Sequence, residues 1–501
     1  MHPHGISPNE SMMRAFKVLA LILVVYLPAT RVQAQEVDPY HQSTGPTAPL
    51  SPLDTREKTT ANDPVNTQVQ DSAQIEPDNH LLSGAETLGL GSLRYLTNIF
   101  DPSLRVSESA DTGASANKPD SVTSAGGSLD FAHSSSRQFL ALMYSGGASL
   151  YRGPTVSNQQ FHDLGLSEAV LLGKWTFRLG DSLTFASQGA SFGGFNTGGL
   201  NFGSQANPLS GLQSGLVPTL QPGLLPLQTI STGIADRVGE VGFAEADYTV
   251  TRRTDITLEV SYGLIHFLSG GYVNGVQKQG RLGYNHLFGQ KNRVAIFYDY
   301  NDSTFGGTNQ SIESQSLQVS YGRTIVGRLA WQVGGGPGLR DLRNYPSLGG
   351  QRFNWTVHSG LTYATRRTDY HFSYFHGITL GSGVFLGANS DTFIASVNRP
   401  LTRFWTGYVN VGYARNSNLI VSKAFSNLFE NWYANADLGR PIGRQLQFDM
   451  NYGFQQQNLG GGLCPVLSCG ITSHRHVLTI NFSWHPLTSG SERGTYPGRR
   501  G

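Results

Sequence analysis

Charge is what this chain has least of: Asp, Glu, Lys and Arg are 14% of its 501 residues, against roughly 25% in an ordinary soluble domain. That is too little for a conventional hydrated surface. The formal net charge of +2 supplies no basic face or stripe, which excludes an electrostatic case for nucleic acid. Outside the N-terminus no apolar run approaches the roughly 18–20 residues of a membrane helix, so a helical bundle in a membrane is excluded as well. Two cysteines, Cys464 and Cys469, are too few for a disulfide scaffold. No P-loop, H-E-x-x-H or dinucleotide fingerprint is present, no cofactor is implied, and no enzyme is expected. A G-x-S-x-G match at 189–193 ends an alternating segment, whereas a nucleophile elbow needs a sharp strand-to-helix turn.

The N-terminus has the pattern of a signal peptide. Arg14 and Lys17 precede a short apolar core at 18–27, and VQA at 32–34 is a small-residue cleavage site. Residues 1–34 are therefore expected to be removed, a retained anchor being the alternative. Residues 35–100, rich in Pro, Thr, Ser, Asn and Asp, read as a disordered periplasmic tail that could meet a periplasmic partner. Residues 101–485 form the body and 486–501 a polar C-terminal tail. Export places Cys464 and Cys469 in an oxidising compartment, where a small disulfide loop is expected. A metal site with His474 and His476 is the competing reading, and no converging geometry supports it.

What the body has in abundance is alternation. In QLQFDMNYGFQ at 445–455 every second residue is apolar, the mark of a strand with two unlike faces. DITLEVSYGLIHF and RVAIFYDYN repeat the pattern. Eighteen such segments are expected, with 16–18 as the range. Short, often basic turns (LGDS at 179–182, TRRTD at 251–255, GQKNR at 289–293, TRRTD at 365–369, PIGR at 441–444) alternate with longer connections such as GSGVFLGANS. From 251 onward the turns recur roughly every 35–41 residues. Each period holds two strands of about ten residues, a hairpin and not a four-stranded propeller blade. Ten residues tilted about 40–45° cover roughly 24 Å, close to an outer-membrane apolar band of about 25 Å.

Tyr262, Tyr298, Tyr300, Tyr452, Trp432 and Trp484 share the apolar face, as interfacial girdles require. The apolar face is thus expected to meet lipid and the polar face to line a lumen. Lumen-facing candidates are Lys174, Glu245, Asp247, Glu259, Arg281, Asp299, Asp437 and Asp449. Such a set can favour cations as a carboxylate-lined pore does, or can consist of mutually paired residues.

In these features the chain resembles bacterial outer-membrane β-barrels, porins especially, and HVLTINFSW at 476–484 resembles their C-terminal assembly signal. The resemblance implies a single all-β, antiparallel up-and-down transmembrane barrel in the outer membrane with a periplasmic N-terminus. Its partners would be outer-membrane lipid, the barrel-assembly machinery and small hydrophilic solutes diffusing through it. A structural or polysaccharide-export-associated barrel is the alternative function. A TonB-dependent receptor needs a larger plug than 35–102 provides. The connection at 195–240 carries Leu209, Leu212, Leu216, Leu220 and Leu224 among Gly and Pro. As the third outer loop of a porin-like barrel it is a candidate constriction.

Overall fold

The computed structural model describes residues 99–486 apart from 113–119, 136, 153–157, 269–271, 289–290, 307–309, 327–328, 345–351, 366, 382–384, 420–427, 444 and 461–471, and apart from 188–235, where only 196–197 and 227–228 are described. The signal peptide, both tails, the two cysteines, the G-x-S-x-G match and the five leucines of the long connection lie outside the described residues.

The first five strands are β1 (Ile99–Asp111), β2 (Asp120–Ser134), β3 (Gln138–Tyr151), β4 (Gln159–Leu172) and β5 (Trp175–Ser187). A two-residue ladder, β6 (Asn196–Thr197) with β7 (Leu227–Gln228), stands apart. Then come β8 (Asp236–Thr251), β9 (Thr254–Phe267), β10 (Gly275–Phe288), β11 (Asn292–Phe305), β12 (Ser311–Val326), β13 (Leu329–Arg343) and β14 (Arg352–Ala364). The series ends with β15 (Asp369–Thr379), β16 (Ala388–Pro400), β17 (Thr406–Asn418), β18 (Leu428–Ile442), β19 (Leu446–Gly460) and β20 (Thr472–Trp484). Eighteen of these form one antiparallel sheet in which each strand pairs with its successor, β5 pairing with β8. The sheet closes where β1 pairs with β20, from Leu104↔Trp484 to Asp111↔Val477. Closure leaves no sheet edge to expose unpaired backbone groups, the condition for a sheet in hydrocarbon.

The barrel strands hold 11 to 16 residues, longer than the ten expected, and at about 3.3 Å per residue they outreach a 25 Å apolar band. The turns are tighter than the sequence suggested. The expected turn at 179–182 lies inside β5, and the chain reverses instead at Gly173–Lys174. Gly173 has φ +64°, a left-handed conformation that a two-residue hairpin demands and glycine adopts without steric cost.

Along each strand the exposed and buried rows alternate. On β9, Leu258 and Val260 are 54% and 53% exposed while Glu259 between them is 2% exposed. Contacts between non-neighbouring strands identify the concave side. His358 of β14 meets Ser320 of β12 at 2.9 Å and lies 6.2 Å, ring to ring, from Phe297 of β11. All three are buried, so the buried row faces inward.

An apolar cluster sits inside the barrel at the end carrying the longer connections: Ile265, Phe267, Phe305, Ile312, Leu342, Leu380 and Leu419. Leu380 arrives from the β15–β16 connection, whose Gly387 has φ +83°. That left-handed conformation disfavours a side chain at 387, and a Cβ there would also press on Ile312 Cδ1.

Candidate functional site: a charged belt on the inner wall

At mid-barrel the direct cross-strand partners read Arg178, Glu245, Glu259, Arg281, Asp299 and Ser316, from β5 through β12. Period-two geometry brings them to one face, and register brings them into one row. Arg178 Nη1 donates to Glu245 and to Asp247. Arg281 Nε donates to Asp299, and its Nη1 lies 3.4 Å from Glu259 Oε2. Gln318 Nε2 donates to the second Asp299 oxygen at 2.7 Å. The Arg281 guanidinium also lies over the Phe297 ring, 4.8 Å from its centre. Thr257 donates to Asp247 and in turn accepts from Asn285. Each belt carboxylate thus has a cation within contact range, as buried charges require.

The other candidates lie elsewhere. Asp449, on the inner row of β19, accepts bonds from Gln447 and Asn481 at 2.9 and 3.1 Å. Asp437 of β18 accepts from Asn451 at 3.4 Å. Lys174, expected in the lumen, stands exposed in the β4–β5 turn at the rim, its Nζ 6.0 Å from the Tyr248 ring centre. The displaced turn is the cause: with the reversal set at 179–182, position 174 falls on a strand and Arg178 at its end. The inner-row arginines Arg105, Arg178, Arg237 and Arg475 were missed for this and similar reasons. Parity would have found Arg178 and Arg237 had β5 and β8 been drawn at their true lengths. Arg475 pairs with Asp111 across the closing seam, which no local pattern reveals.

The outer rows are apolar and aromatic, with Trp175, Tyr248, Trp331 and Trp484 toward the short turns and Tyr262, Tyr300, Trp355 and Trp432 toward the other end. Asp181 and, beside it on β8, Glu240 break the pattern. Asp181 lies on the outward row of β5 opposite Gly242, and its Oδ1 is buried without a hydrogen-bond partner among the described residues. Asp181→Leu is expected to raise stability in bilayers by about 1 kcal/mol, since a carboxylate on the lipid face is unfavourable, though less so than Arg or Lys. Urea titration in liposomes measures it, and a loss of stability would place Asp181 against something other than lipid.

A closed antiparallel barrel with apolar, aromatic outer rows and inner rows that hold a charged belt has the architecture of a transmembrane β-barrel of the outer-membrane type. No family model matches the sequence, and no curated protein matches it. Among solved structures, Pseudomonas aeruginosa OccK2 (OpdF) is 9% identical with a TM-score of 0.38, covering 78% of this chain and 98% of that one. P. aeruginosa OprD is 9% identical with a TM-score of 0.37, covering 78% and 96%. The siderophore receptor PirA from Acinetobacter baumannii is 7% identical with a TM-score of 0.39, covering 78% and 81%. At this level of similarity none of their ligands transfers to this chain.

Proposed function

We propose that this barrel is a diffusion channel for small hydrophilic solutes across the outer membrane, with its N-terminus in the periplasm. The observation that supports the reading is the row of polar and charged side chains on the inner face of an eighteen-stranded barrel, because barrels of 16–18 strands are wide enough to enclose an aqueous path. The belt sets Glu245, Asp247, Glu259 and Asp299 against Arg178 and Arg281, four negative charges against two positive, a formal excess of −2. Pairing cancels most of the field, and the remainder favours cations weakly.

Planar-bilayer recording under a salt gradient tests this. The parent is expected to show a small cation-selective reversal potential. The double variant Glu245→Gln, Glu259→Gln brings the belt to two against two and is expected to move that potential toward zero. Reversal potentials that do not differ would remove the belt from the conducting path. The same reading takes residues 195–240 as a constriction, so deleting 205–230 is expected to raise conductance without loss of assembly. A folded parent that never conducts would favour the structural or export-associated barrel.

A further inference from the structure

The short turns carry cations around the whole barrel. Among the described residues, the β2–β3 turn holds Arg137, β4–β5 Lys174, β8–β9 Arg252 and Arg253, β10–β11 Lys291, β14–β15 Arg367 and β16–β17 Arg403, all exposed. Arg323, Arg399 and Arg440, also exposed, stand near the turn ends of β12, β16 and β18. The acidic residues at this end are engaged or turned inward. Glu168 accepts from Gln138, Asp101 meets His485, and Asp255 lies on the inner row of β9 with Thr257 and Glu259.

Three of these arginines come together on the outside of the wall. Arg440 lies on the outward row of β18 opposite Phe448, and Arg399 on the outward row of β16 opposite Gly407. The Arg440 guanidinium stands 5.9 Å from the ring centre of Phe404 and 5.5 Å from that of Trp405, and the Arg403 guanidinium 5.6 Å from Phe404. Phe404 and Leu401 are 54% and 51% exposed, and Val409 and Val411 continue the outward row of β17 toward mid-barrel. Girdle aromatics sit at headgroup level, so guanidinium groups held against them stand at the depth of lipid phosphates. Neither Arg399 nor Arg440 has a carboxylate partner among the described residues.

We propose that Arg399, Arg403 and Arg440, with Phe404 and Trp405, form a binding site on the outside of the barrel for the phosphate headgroup of an anionic phospholipid. The guanidinium forks fit phosphate oxygens in pairs, the rings hold them at headgroup depth, and Val409 and Val411 meet the acyl chain below. A zwitterionic lipid offers the same phosphate, but its ammonium is repelled by three clustered cations, so the site selects a net negative headgroup. It needs a bilayer around the barrel and no conduction through it. With the N-terminus periplasmic, the site faces the inner leaflet.

Tryptophan quenching tests it, with the full chain reconstituted in phosphatidylcholine liposomes that contain a minor fraction of lipid brominated on the acyl chains near the headgroup. The Trp405 signal is the difference between each protein and its Trp405→Phe counterpart. Brominated phosphatidylglycerol is expected to quench it as though enriched at least about fivefold over brominated phosphatidylcholine, the preference that one cation near an anionic headgroup already gives. The triple variant Arg399→Gln, Arg403→Gln, Arg440→Gln is expected to lose that excess. Arg252→Gln with Arg253→Gln, across the barrel, is expected to keep it. Heat-modifiable gel mobility checks assembly, and Arg440→Gln alone, expected to lose at least about half of the excess, serves if the triple variant does not assemble. Equal quenching by the two lipids in the parent, or an excess unchanged in the assembled variants of the cluster, overturns the site. An excess lost as fully from the β8–β9 turn variant overturns it too, because the rim as a whole and not this cluster would then select the lipid. An excess in a barrel that passes no current keeps the site and loses the channel.

Discussion

Arg281→Met is expected to cost about 3–5 kcal/mol of barrel stability, the range for removing one partner of a buried ion pair. Arg281 is 2% exposed and lies between two carboxylates that are its direct cross-strand partners, Glu259 on β9 and Asp299 on β11. Methionine fills the space of the arginine stem but lacks the guanidinium that lies over the Phe297 ring, so the measured loss includes that contact with the ion pairs. Two carboxylates on the strands flanking β10 would then face the inner wall with no cation between them. The triple variant Arg281→Met, Glu259→Gln, Asp299→Asn is expected to recover most of the loss, because a row without charge has none to leave unpaired. Urea unfolding in liposomes, followed by heat-modifiable mobility, gives both values. If Arg281→Met lies within about 1 kcal/mol of the parent, water already screens these groups and the belt is not a structural network.

Val260→Arg, one position along β9 from a belt carboxylate, is expected to destabilise by about 2–4 kcal/mol in a bilayer, the cost of a cation on the lipid face near the midplane. Val260 lies outward in the row Ile256, Leu258, Val260, with Tyr262 next toward the mouth. Glu259→Gln, pointing inward, keeps the side chain's shape and leaves Arg281 held by Asp299, so assembly is expected to survive. The two substitutions separate the faces of one strand. Tolerance of Val260→Arg with loss of assembly in Glu259→Gln would mean that β9 is shifted by one residue, which turns every side chain over.

The belt shows how far local pattern carries. Glu245, Asp247, Glu259, Arg281 and Asp299 were each readable as inward from the alternation around them. That Arg281 lies between Glu259 and Asp299 was not, because partner identity depends on the relative slide of strands that a sequence of separate segments does not record. Lys174 and Arg178 exchanged roles for a smaller reason. LGDS and LGKW both carry a glycine followed by a polar residue, and only the pairing of β4 with β5, Leu172 opposite Trp175, decides which one turns.

By itself the sequence determined the class of barrel, the number of strands and the two faces of nearly all of them. These follow from a side-chain period of two, low charge and aromatic placement, all properties of a strand and its solvent. Tertiary structure alone decided the ion-pair partners, the closing pair of Arg475 with Asp111 and the inward placement of Leu380 from the β15–β16 connection. Those depend on which residues closure and register bring together from distant parts of the chain.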